Sequence, residues 1–158
     1  MPVLIAVFLS WQATIVSTST PKRETPSGRV YVRGEKARVE LAGNVVIWDG
    51  RKLRLRAGTK APVEMDPSLR AAFGIPPSCL TSCGYRQVGT ALVGGQPVRV
   101  FEKLFAKTPM GPLKQSLWLP AEGPPLRLEA RSGRGITRME LTPEPGARIS
   151  ERLFRFAR

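Results

Sequence analysis

Between Arg29 and Leu141 apolar and charged residues alternate in short runs, each closed by a turn signal. A period of two writes an antiparallel sheet with one buried and one wet face. In Arg29-Val30-Tyr31-Val32-Arg33, and after Gly34-Glu35-Lys36 in Ala37-Arg38-Val39-Glu40-Leu41, the aliphatics fall on one face and arginine and glutamate on the other. Asn44 to Trp48, Asp49-Gly50 and Arg51 to Arg56 predict a hairpin around a type I′ dipeptide. Tyr85 to Val93, Gly94-Gly95 and Gln96 to Leu104 repeat the design, with Pro97 at the start of its strand, where a missing donor costs least. Further strands are predicted over Leu113 to Leu119, Leu126 to Arg131 and Ile136 to Leu141, the last two joined by Ser132-Gly133-Arg134-Gly135. Only Pro67 to Phe73 reads as helical, with Asp66 as N-cap, proline in the first turn and Gly74 as the stop. The tail from Pro143 has no period, but Leu153, Phe154 and Phe156 are apolar enough to dock.

At 158 residues with 42% hydrophobic content, the chain suits a single domain over 1–158. Residues 1–9 admit two readings, the remnant of a signal segment or the start of a first strand. The run Val3 to Leu9 lacks a preceding basic residue and a small-x-small cleavage site, and a start inside a longer gene would account for that. The alternation of Trp11, Ala13 and Ile15 with Gln12 and Thr14, and the β-branched run Thr14-Ile15-Val16, favour a strand over Phe8 to Thr20. The formal charge of +13 raises nucleic acid or an anionic membrane as partners. Its distribution changes that picture, because the arginines occur singly at alternate strand positions, as on a solvated sheet face.

Histidine is absent, which removes the commonest general base and metal ligand. Cys79 and Cys83, the only cysteines, lie in a loop bounded by Pro76-Pro77 and Gly84. Two thiolates without histidine do not make a zinc site, and the spacing is not that of a redox pair. A local disulfide in an oxidising compartment is the favoured reading, over two unremarkable thiols and, last, redox or shared metal binding. Glu24, Glu40, Glu129 and Glu140 sit beside or opposite arginines, where cross-strand ion pairing explains them without catalysis. There is no phosphate loop, dinucleotide fingerprint or nucleophile elbow, so neither an enzyme nor a cofactor is expected. Trp48, Trp118, Phe101 and Phe105 could stack on bases, but read more simply as core or cross-strand aromatics.

The order of these elements resembles a family. Gly28-Arg29-Val30-Tyr31-Val32-Arg33-Gly34-Glu35-Lys36-Ala37-Arg38-Val39-Glu40 is similar to the early hairpin of the LolA/LolB outer-membrane lipoprotein carriers. Asn44 to Gly50, Val88-Gly89-Thr90-Ala91-Leu92-Val93-Gly94-Gly95-Gln96-Pro97, and Leu117-Trp118-Leu119-Pro120 through Leu126-Arg127-Leu128-Glu129 resemble later family elements, in order. The resemblance implies a mainly-β fold: one curved antiparallel sheet, an open half-barrel, with the short helix over part of its concave face. It further implies non-enzymatic binding of an acyl chain, lipid or lipoprotein in the periplasm or cell envelope. The concave face would be lined by Val30, Val32, Val39, Leu41, Leu53, Leu55, Val98, Val100, Leu126, Leu128, Met139 and Leu141. An anionic membrane surface is a secondary partner on this reading, and nucleic acid belongs only to the alternative of a basic β-module binding through its arginine face. No residue of this chain can be matched to a carrier's specific functional position.

Overall fold

The computed structural model describes residues 10–21, 25–144 and 148–156. The apolar leader over residues 3–9 and Glu24 lie outside the described residues. Within them, eleven strands form one antiparallel sheet. In chain order these are β1 (Ser10–Thr20), β2 (Ser27–Arg33), β3 (Lys36–Leu41), β4 (Asn44–Trp48), β5 (Leu53–Ala57) and β6 (Val63–Met65). They continue as β7 (Arg86–Val93), β8 (Gln96–Phe105), β9 (Leu113–Pro120), β10 (Arg127–Ser132) and β11 (Gly135–Pro143). The spatial order is β6-β5-β4-β3-β2-β1-β11-β10-β9-β8-β7. Two meanders are therefore joined where β1 pairs with β11, and the sheet is not closed: β6 and β7 are its edges.

Local chemistry accounts for the turns. Gly94 and Gly95 take φ of 56° and 79°, the left-handed pair that a two-residue type I′ turn between Val93 and Gln96 requires. The turn expected at Asp49-Gly50 is wider than the sequence predicts, since Trp48 pairs with Leu53. The Asp49 carboxylate accepts the backbone N–H groups of Arg51 and Lys52 at 2.9 and 2.8 Å, and this Asx geometry favours a four-residue loop over the tight dipeptide. The helix expected over residues 67–73 is a 3₁₀ turn, Pro67–Ala71, capped by the Asp66 carboxylate on Ser68 N–H and followed by Gly74 at φ 78°. Five residues are too few to repay α-helix nucleation.

The sheet is strongly curled. Arg70, on the segment that leaves β6, lies 5.2 Å from the Trp48 ring of β4 and 5.3 Å from the Phe105 ring of β8. These strands are seven steps apart in the sheet, which at ~4.8 Å per step would separate them by about 34 Å in a flat sheet. Gly28 marks one bend: a Cβ there would collide with the backbone carbonyl of Glu40, and glycine is the residue that lets a strand turn such a corner.

Packing follows the two faces. The concave face gathers Trp11, Ala13, Ile15, Val30, Val32, Ala37, Val39, Val46, Leu53, Phe101, Leu117, Leu119, Leu128, Met139 and Leu141 into the main core. On the convex side Tyr31, Val45 and Ile47 form a second cluster with Ile149 and Phe154 of the C-terminal segment, and Leu153 and Phe156 pack against it. The tail thus docks on the arginine-bearing face. Arg33 donates to Ile149 O and Arg38 to Leu153 O, both at 3.0 Å, so part of the face expected to be wet is covered.

Two members of the expected concave set belong elsewhere. Val98 pairs with Pro120 and Val100 with Trp118, whereas Phe101 pairs with Leu117. Directly opposed residues share a face, so Val98 and Val100 lie on the convex side and Arg99, Phe101, Lys103 and Phe105 on the concave side. The alternation in β8 is aliphatic on one face and aromatic or cationic on the other, and here the second face turns inward.

Candidate functional site

Residues 66–85 connect the two edge strands and cross the mouth of the half-barrel. Leu69, Ile75, Leu80 and Tyr85 of this crossover join the main core, and Phe73 and Cys83 pack against it. The cover is therefore larger than the single short helix predicted from sequence. Of the expected concave residues, Val30, Val32, Val39, Leu53, Leu128, Met139 and Leu141 are buried in that core, and Leu41 and Leu55 pack against it half-exposed. Leu126 is half-buried just ahead of β10.

One polar side chain fastens the crossover to the sheet. Gln115 on β9 is 1% exposed; its amide donates to Ile75 O at 3.1 Å and its carbonyl accepts the Tyr85 hydroxyl. Burial pushes the Tyr85 hydroxyl above its ordinary range, so it remains a donor to Gln115. Cys79 and Cys83 are disulfide-bonded within the same segment, which stiffens the loop between Pro77 and Gly84. Nothing in the sequence marked Gln115, because a polar residue among Lys114, Ser116 and alternating leucines reads as part of a wet face.

Open space lies beside the crossover. At the Thr20 end of β1 the concave positions of three adjacent strands change from bulky residues to small ones. Ile15 gives way to Ser17 and Ser19 on β1, Leu128 to Ala130 and Ser132 on β10, and Met139 to Thr137 on β11. A cavity of about 400 Å³ results, bounded by Ser19, Ala130, Ser132, Arg134 and Thr137, with Ala72, Met110, Leu113 and Ile136 as its apolar wall. Its volume is that of a small-molecule site. A gap of about 10 Å³ continues from it between Ala71, Ala72 and Gly74 of the crossover and Leu128, Ala130 and Met139 of the sheet, marking the seam along which the crossover rests. The indole N–H of Trp11 is buried in the same core without an acceptor among the described residues.

A second cavity, of about 270 Å³, lies on the crossover between Trp48, Ile75, the Cys79–Cys83 disulfide, Tyr85 and Lys103, with Arg70 and Glu35 also on its wall. Burial, and secondarily the neighbouring Arg70, hold the Lys103 ammonium below the usual lysine range. On the convex side the carboxylates are spent on pairing. Arg138 donates to Glu129 at 2.8 Å and Arg127 to Glu140 at 2.8 Å across strands, and Arg38 to Glu40 at 2.7 Å along β3. Among the described residues, no group of three or more Cys, Asp or Glu side chains could hold a metal ion.

Neither a comparison with protein-family models nor one with curated proteins gives a match. Solved structures do. An uncharacterized conserved protein from Thermus thermophilus superposes with a TM-score of 0.58 at 15% identity, over 98% of this chain and 90% of that one. A domain described as an outer membrane lipoprotein-sorting protein, from Vibrio parahaemolyticus, gives 0.49 at 14% identity, over 93% and 89%. The Mycobacterium tuberculosis lipoprotein LppX gives 0.46 at 12% identity, over 94% and 99%. The Thermus protein shares the fold.

Proposed function

We propose that the protein is a non-enzymatic binder of an acyl chain, as part of a lipid or lipoprotein, in a bacterial cell envelope. The observation that carries this reading is the open sheet itself: its apolar concave face is spanned by one crossover segment rather than by a second sheet, and a cavity of about 400 Å³ opens where they part. An acyl chain with its tail in this cavity would extend along the seam, displacing Ala71, Ala72 and Gly74 from Leu128 and Met139, toward the Arg70 and Ile75 ends of that stretch of the crossover. Burial contributes about 0.8 kcal/mol per methylene, so roughly ten methylenes match the ~8 kcal/mol of a micromolar complex before the cost of immobilisation. The resemblance of the sequence to the lipoprotein carriers supports the same reading, and the disulfide fits an oxidising compartment.

The test is uptake of an apolar fluorescent dye and its displacement by a fatty acid or lipopeptide, with little dependence on salt. Binding that collapses as salt rises, with no displacement by acyl chains, would favour the basic-module alternative suggested by the +13 charge.

A further inference from the structure

We propose that the cavity over the crossover is an anion site, formed by Arg70 and Lys103, that takes the phosphate or carboxylate headgroup of an acyl-bearing ligand. The inference rests on the lipid-binding reading and names the class of lipid. Its basis is the way the two cations are held. Arg70 sits over the Trp48 and Phe105 rings at 5.2 and 5.3 Å, and Lys103 over Phe105 and Tyr85 at 4.9 and 5.6 Å. Aromatic faces position a cation without neutralising it. Among the described residues no carboxylate pairs with either side chain, in contrast to Arg38, Arg127 and Arg138. Arg70 spends one Nη1 donor on Pro67 O at 2.9 Å, and Lys103 makes no side-chain hydrogen bond among the described residues, so the remaining donors are free for a ligand.

The arrangement works against stability. Two like charges share a partly desolvated place, and the lowered Lys103 pKa expresses that cost. Glu35 is the one carboxylate on the cavity wall, and it offsets half of the local charge at most. The floor is apolar, since Ile75 belongs to the main core and Trp48 and Cys83 pack against it. An anion with an attached apolar chain fits this pairing of cationic wall and apolar floor, and a strongly hydrated polyanion does not.

The experiment uses the full chain, its Arg70→Gln/Lys103→Gln double variant, and three probes: a lysophospholipid with an anionic headgroup, a monoacylglycerol of the same chain length, and inorganic phosphate. Intrinsic tryptophan fluorescence reports binding, and thermal denaturation confirms that the variant folds; Lys103→Met serves as a second variant should it not. We expect the anionic lipid to bind about tenfold or more tightly than the neutral one, and the double variant to abolish that preference while leaving the neutral lipid unchanged. Phosphate alone should perturb the wild-type signal weakly, and not that of the variant. Equal affinity for both lipids in the wild type would overturn the headgroup site and leave acyl binding standing. Phosphate binding without either lipid would keep the anion site and sink the lipid reading, and silence with all three probes would sink both.

Discussion

Gln115 decides how firmly the crossover is held, because its two hydrogen bonds tie Ile75 and Tyr85 to the centre of the sheet. Gln115→Leu keeps the volume but leaves a buried carbonyl and hydroxyl unpaired, at about 1–3 kcal/mol each; chemical denaturation should show a combined loss of about 2–6 kcal/mol. Ala42 presents the opposite case. It is the non-glycine residue among those described with positive φ, at 53°, in the turn it forms with Gly43, and Ala42→Asn should raise stability by about 1 kcal/mol because asparagine tolerates that region. Asp49 gives the acid response a direction. Burial alone would raise its pKa, but the backbone N–H groups of Lys52 and Arg51, and then Arg54, outweigh it and leave it lowered. The group therefore contributes stability that is present above about pH 4 and is lost as pH falls through its lowered folded pKa. Thermal scans of Asp49→Asn should show a shallower decline on acidification than the wild type. At this scale the sequence disclosed the cap at Asp66 and the type I′ glycines, which depend on neighbours in the chain. It could not disclose Gln115, whose partners lie 30 and 40 positions away.

The strands were legible because each carries its own alternation and its own turn, and β4, β8 and β9 start where the pattern begins. β6 was missed: with three residues, Val63–Met65, it holds too little pattern to register. The inward face of β8 was misread for a different reason. Aliphatic Val98 and Val100 look like core, and only pairing with β9 shows that Phe101 and Lys103 face the crossover. Cationic residues on an inner face are what the proposed headgroup site requires and what a fold-only pattern does not predict. The C-terminal segment behaves as the aromatic residues suggested. Phe154 is 3% exposed against Tyr31, Val45 and Ile47, so Phe154→Ala should cost about 3 kcal/mol and release the segment to protease. Arg38 is not the freely replaceable surface residue the alternation implies, for it binds both Glu40 and Leu153 O.

For the whole molecule, the curled sheet and the edge-to-edge crossover part at the cavity beside Ala72 and Met110, where an acyl tail is proposed to lie. Ala130 lines both the cavity and the seam beneath the crossover, so Ala130→Trp should fill the space without touching the core under Leu53 and Leu117. The direct measurement is native mass spectrometry, with lipid extraction, of wild-type protein and Ala130→Trp purified from a bacterial periplasm. Wild-type protein should carry an added mass that extraction identifies as an acyl-bearing lipid, and that is absent or greatly reduced in Ala130→Trp. A wild-type protein that carries no lipid, and that accepts none when a fatty acid or lipopeptide is added, would contradict the acyl-binding reading.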